Sequence, residues 1–209
     1  MTSDFPRPVF RPSGTFDRLF ASEDPAEVSR AAHQTAATLL ARVRAEEDPE
    51  VVDRLIRFAS THGIDDIAQL WSRSPAKTLP GTLWRLYLVQ ASIHADAALA
   101  ALLYERGRAA LHTGDAIIAG APTPVSPPEL VALIDTILRG AFTGDLAIAL
   151  DRTAAFCRVE ASGATHLADD AEATEPERAT TLTTRALRLS SIADDLDVAA
   201  RLWRRDELI

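Results

Sequence analysis

Cysteine occurs once, at Cys157, lysine once, at Lys77, and asparagine not at all. A lone cysteine excludes an intramolecular disulfide and any zinc site built on several thiolates, and it fits a reducing cytoplasm. The near-absence of lysine and asparagine beside abundant arginine and alanine points to a GC-rich coding sequence. Positive charge is also short: 22 Lys and Arg stand against 30 Asp and Glu, for a formal net charge of −8. That balance argues against a general nucleic-acid surface, whose affinity comes largely from cations on phosphates. The first residues, "MTSDFPRPVFRPSGTF", contain no apolar run that could serve as a signal-peptide core. The longest apolar stretch, Leu83 to Tyr104, carries Arg85, Gln90, His94 and Asp96. Such groups are costly in a bilayer, so the stretch reads as a buried helix of a cytoplasmic protein.

What remains is the composition of a globular chain, 47% hydrophobic and 25% charged over 209 residues, long enough to bury a core without staples. "DPAE" (24–27), "DPEV" (48–51), "SPPE" (126–129) and "TEPE" (174–177) each join a capping residue, a first-turn proline and an acid. The cap oxygen accepts an orphan N–H, and proline loses nothing where no bond was due. Ser126–Glu129 and Thr174–Glu177 also have the spacing of a reciprocal capping box. Gly63, Gly140 and Gly163 follow periodic apolar runs, where a helix stop is expected. These signals predict an all-α single domain over 22–209. Its helices are expected near 25–45, 49–62, 64–72, 82–112, 127–139, 144–162 and 175–205, packed around a central apolar helix at 82–112. Residues 1–21 read as an extended arm rich in Pro, Phe and Arg, with Phe5, Phe10 and Phe16 as anchors.

"HTGDAIIAG" (112–120) and "FTGDLAIAL" (142–150) share a Thr-Gly-Asp core. Both fall at helix junctions and read as punctuation. "YERGRAALHTGD" (104–115) has the look of half a tetratricopeptide repeat, but the second half would run through "GAPTPVSPP", where prolines forbid a helix.

The chemistry-bearing residues are sparse. The histidines are His33, His62, His94, His112 and His166. None pairs at helical ligand spacing, so no metal or other cofactor is expected, although His33, His94 and His166 could converge. His62 and His112 sit in last turns, where positive charge is favoured. Tyr87, Gln90 and His94 share one face of the central helix; they serve either a satisfied core network or a small ligand pocket. Cys157, on the face of Leu150 and Ala154, reads as a buried inert thiol. Asp197 precedes Arg201 by four residues, the spacing of a surface ion pair. No nucleophile elbow, dinucleotide or Walker-type loop occurs.

Two features point to contacts between surfaces. Leu182, Leu189, Leu196 and Trp203 recur every seven residues, with Ala186, Ala193 and Ala200 between them. That seam suits either an internal bundle contact or a homodimer. The arm's aromatics also need a surface. At "LPGTLWRLYLV" (79–89) and "AFTGDLAIALDRTAAFCRV" (141–159) the chain resembles a family of uncharacterised actinobacterial helical proteins. The resemblance implies a cytoplasmic helical fold and carries no activity or site residues. The expectation is a non-enzymatic interaction or regulatory protein, a homodimer or the partner of another protein. The alternatives are a small-molecule-binding or catalytic bundle using Tyr87, Gln90 and His94, and a transcription-associated protein, from the faint helix-turn-helix start at "IDDIAQLW" (64–71) followed by "SRSPAK".

Overall fold

The computed structural model describes residues 24–45, 70–111 and 126–209, apart from the side chains of Arg42, Val43, Phe142 and Thr143. Within them lie six helices: α1 Pro25–Arg44, α2 Leu79–Ala95, α3 Ala97–Ala110, α4 Pro127–Thr143, α5 Leu146–Ala171 and α6 Pro176–Trp203. A helical turn stands at 70–72, and no strand occurs among the described residues. The chain is all-α. The arm at 1–21, the helix expected at 49–62, most of that at 64–72 with its helix-turn-helix start, the first Thr-Gly-Asp copy, His62, Gly63 and His112 lie outside the described residues.

Local capping chemistry sets most helix starts. Asp24 Oδ1 accepts from Ala26 N ahead of α1, at 2.9 Å. Ser126 and Glu129 complete the expected box at α4, with bonds of 3.4 and 2.9 Å. Asp145 caps α5 by accepting from Ala147 N at 2.8 Å, so the second Thr-Gly-Asp copy is helix punctuation. Thr174 does not open α6; its N-cap is Glu175, which makes no side-chain cap bond and instead pairs with Arg178 at 3.1 Å.

The apolar segment 82–112 is two helices. Thr78 caps α2 three residues earlier than expected, with Pro80 in the first turn. Asp96 then leaves helical geometry (φ −148°, ψ 76°) and accepts from Leu99 N to start α3. The chain bends by 106° there. No single helix among the described residues is long and apolar enough to cross a membrane.

The central helix is α5, not the 82–112 segment. It packs against α2, α3, α4 and α6, and it does so because of its small residues. Ala149, Ala154, Ala155, Ala161, Gly163, Ala164 and Ala168 are all buried, and short side chains let neighbours approach closely on several sides. Gly163 is therefore not a stop. A Cβ there would lie 1.8 Å from Leu103 O of α3, and one on Gly107 1.8 Å from Val159 O of α5. The α3 and α5 backbones touch at this crossing. Gly140 is no stop either: α4 runs on to Thr143.

The heptad seam is used inside the chain. Leu182, Ala186, Leu189, Ala193, Leu196 and Ala200 are buried, and Trp203 packs against the core. Leu182 and Ala186 meet Leu103, Ala164, Leu167 and Ala168, while Leu189, Ala193, Leu196 and Ala200 join the main core. The antiparallel fold-back of α6 on α5 uses this stripe, so it is not an open surface for a second copy. Ion pairs across helices tie the same region: Arg85 to Asp195 at 2.7 Å and Arg158 to Asp197 at 2.8 Å. The partner of Asp197 is thus on α5 and not the expected Arg201.

Candidate functional site

Two polar clusters lie within the helical body. The first contains the residues that share a face in the sequence. Gln90 Nε2 donates to Asp135 Oδ1 at 2.9 Å, and His94 Nε2 lies 3.1 Å from the same oxygen. The partner is Asp135, an acid on the neighbouring helix α4. Tyr87 takes no part in this network and stacks on Trp84, with ring centroids 5.4 Å apart. The face that reads as a possible pocket is divided between a satisfied α2–α4 contact and a half-buried aromatic pair. The three histidines are held separately. His33 Nδ1 is 2.7 Å from Ser29 O in its own helix, His94 is on Asp135, and His166 is exposed on α5. Among the described residues no group of three His, Cys, Asp or Glu is placed to hold a metal ion.

The second cluster surrounds the α3–α5 crossing. Close approach at Gly107 and Gly163 places Tyr104, one turn before Gly107, beside the stretch of α5 that carries Phe156 and Glu160. Tyr104 stacks on Phe156 at 5.0 Å, and both are wholly buried. Glu160 is 1% exposed. From α6, Arg185 reaches in: its Nη2 lies 3.8 Å from Glu160 Oε2 and donates to Ser92 Oγ of α2 at 3.3 Å. At 3.8 Å the first contact is a charge pair without a hydrogen bond. Tyr104 Oη, both Glu160 carboxyl oxygens and Arg185 Nε are buried with no hydrogen-bond partner among the described residues.

Burial decides the protonation of this cluster. It pushes the Glu160 carboxyl up to about 8, against the pull of Arg185, so the neutral acid is well populated near pH 7. It also pushes the Tyr104 hydroxyl up to about 12, aided by the Glu160 charge and opposed by Arg108 and Arg152. Cys157, one turn before Glu160, is raised as well, by burial first and then by Glu160, so it stays a thiol. A buried, protonated thiol is a poor nucleophile.

No family model, curated protein or solved structure matches the chain. Its own geometry carries the functional reading. Among the described residues that geometry offers one place where donors and acceptors from α3, α5 and α6 meet without satisfying one another. Sequence reasoning missed Tyr104, Glu160, Arg185 and Ser92. One signal was present: Glu160 is a lone acid on an α5 face otherwise made of Leu146, Ala149, Leu150, Thr153, Phe156, Cys157, Gly163, Ala164 and Leu167.

Proposed function

We propose that this chain is a non-enzymatic regulatory protein that binds a small polar molecule, with Tyr104, Glu160 and Arg185 as its working centre. One observation carries the reading: four buried polar atoms on three helices lack partners among the described residues, at one crossing. Buried polar groups are rarely left unpaired, and each one costs about 1–3 kcal/mol. A cluster that weakens the fold while offering both donors and acceptors suits a ligand that supplies the complements. Perturbed carboxyls concentrate at functional sites for the same reason. The ligand centre is thereby moved from Tyr87, Gln90 and His94, where Asp135 already supplies the complement.

The test is mass spectrometry of the small molecules released when protein from its native cell is denatured. Wild type should release one polar compound in near-stoichiometric amount, and Glu160→Leu should release none. No compound from wild type, or equal retention by the variant, overturns the reading. Self-association through the α6 seam is a second expectation that finds its surface already buried; sedimentation equilibrium measures it directly.

A further inference from the structure

We infer that Glu160 is a proton-operated latch: as a neutral acid it leaves the Arg185 guanidinium on Ser92 of α2, and as a carboxylate it draws that guanidinium onto α5. The inference deepens the reading above, since it concerns how the same centre is regulated.

The geometry is that of one donor nitrogen, carrying two N–H groups, between two acceptors. Arg185 Nη2 is 3.3 Å from Ser92 Oγ and 3.8 Å from Glu160 Oε2. A shift of a little over half an ångström brings the guanidinium from a neutral hydroxyl to an ionised carboxylate, where both partners are charged and the bond is shorter and stronger. Arg185 Nε is also buried and without a partner among the described residues. The Arg185 side chain is 24% exposed while Glu160 is 1% exposed. Arg185 thus reaches from the surface to the buried carboxyl; the proton that Glu160 gives up ends in bulk water, and Arg185, which has no acceptor, does not carry it.

The surroundings leave the choice to Glu160. From α3, Tyr104 faces it; Arg108 and Arg152 act on that hydroxyl, which stays protonated at neutral pH. On α5, Cys157 is held as a thiol, and Arg158 is paired with Asp197. From α6, Arg185 is the charge that acts on the carboxyl. On α2, Arg85 is occupied by Asp195 and His94 sits on Asp135 of α4, so Ser92 is the α2 group joined to the cluster. One ionisation therefore changes which helix Arg185 ties to α6. With the acid neutral, Arg185 ties α6 to α2; with the carboxylate, it ties α6 to α5, while the Arg85–Asp195 and Arg158–Asp197 pairs stay in place.

The linkage has a definite sign. The ordinary carboxyl value is 4.5 and the folded one about 8. Between these the folded state holds a proton that the unfolded chain has lost. The stability that Glu160 contributes is complete below about pH 4.5, is lost as pH rises through about 8, and is level above it.

The test is carbon- and nitrogen-detected NMR of the full chain between pH 5 and 10, following the Glu160 carboxyl carbon, the Arg185 Nε–H and the Ser92 amide. All three should move together with a midpoint near 8, and the Arg185 and Ser92 changes should vanish in Glu160→Gln. A Glu160 carboxyl that titrates near its ordinary value, an Arg185 signal indifferent to pH, or the same transition in Glu160→Gln overturns the latch. The wild-type carboxyl titration stands even where the variant folds poorly. Denaturation midpoints give a second reading: the wild type should weaken relative to Glu160→Gln from pH 5 to 8, and a constant difference contradicts the inference. A titration near 8 in protein that releases no small molecule removes the binding reading and keeps the latch; the reverse pair of results does the opposite.

Discussion

Alanine at Gly107 or Gly163 tests the architecture most sharply, because local and tertiary physics give opposite signs. Glycine inside a helix costs about 1 kcal/mol relative to alanine, so helix propensity alone makes both substitutions stabilising. The structure says otherwise. The new methyl would sit 1.8 Å from a carbonyl oxygen, Val159 O in one case and Leu103 O in the other. Close C···O approaches lie near 3.3 Å, so α3 and α5 must separate by about 1.5 Å. The separation loosens Leu103, Tyr104, Phe156 and Val159, all wholly buried. A gap of 0.5–1 Å already forfeits a quarter to a half of a contact's dispersion energy. Overpacking that shifts side chains and backbone costs about 1–3 kcal/mol, occasionally more, and a backbone-on-backbone overlap this deep belongs at the top of that range or just above it, about 3–4 kcal/mol. After the propensity gain, each substitution should destabilise by about 2–3 kcal/mol, lowering Tm by roughly 5–10 °C for a chain of this size. Their effects should not add: once one methyl has parted the helices, the second enters a gap already opened, and the double variant should lose about 3–4 kcal/mol. Gly140→Ala is the control. It is also helical but meets nothing within 4 Å, and should gain up to about 1 kcal/mol. Denaturant unfolding followed by circular dichroism measures all four variants. If Gly107→Ala or Gly163→Ala proves as stable as Gly140→Ala, the backbone crossing is wrong.

Leu189→Glu should unfold the chain or cost more than about 4 kcal/mol, because the side chain lies in the core and a carboxylate there has no designed partner; a folded monomer made from a wild-type dimer would reassign the seam to an interface. Asp135→Ala should cost about 1–3 kcal/mol in the same assay, since it removes the acceptor shared by Gln90 and His94; no loss would show that the network contributes nothing. Cys157 should resist thiol reagents at pH 8 until denaturant is added, being buried with its thiol held above the ordinary range; rapid stoichiometric labelling of the native protein would contradict its burial.

The parts legible in the amino-acid order were those governed by neighbours along the chain. The all-α class, the caps at Asp24, Ser126 and Asp145, and the buried stripe of α6 follow from orphan N–H groups and helical periodicity, which are local. Asp96 was harder. Set in an alanine- and leucine-rich run, it reads as a tolerated polar residue, and only the packing of α3 across α5 turns it into a cap at a 106° bend. Gly163 shows the limit most plainly. Along the chain a glycine reads as a break, whereas in space Gly163 is the point at which two backbones touch. The candidate site was illegible for the same reason. Ser92, Tyr104, Glu160 and Arg185 come from four helices, and no spacing joins them. Close packing at Gly107 and Gly163 buries the carboxyl, and burial raises its proton affinity. That property belongs to Glu160 only when α3 and α6 are folded against α5.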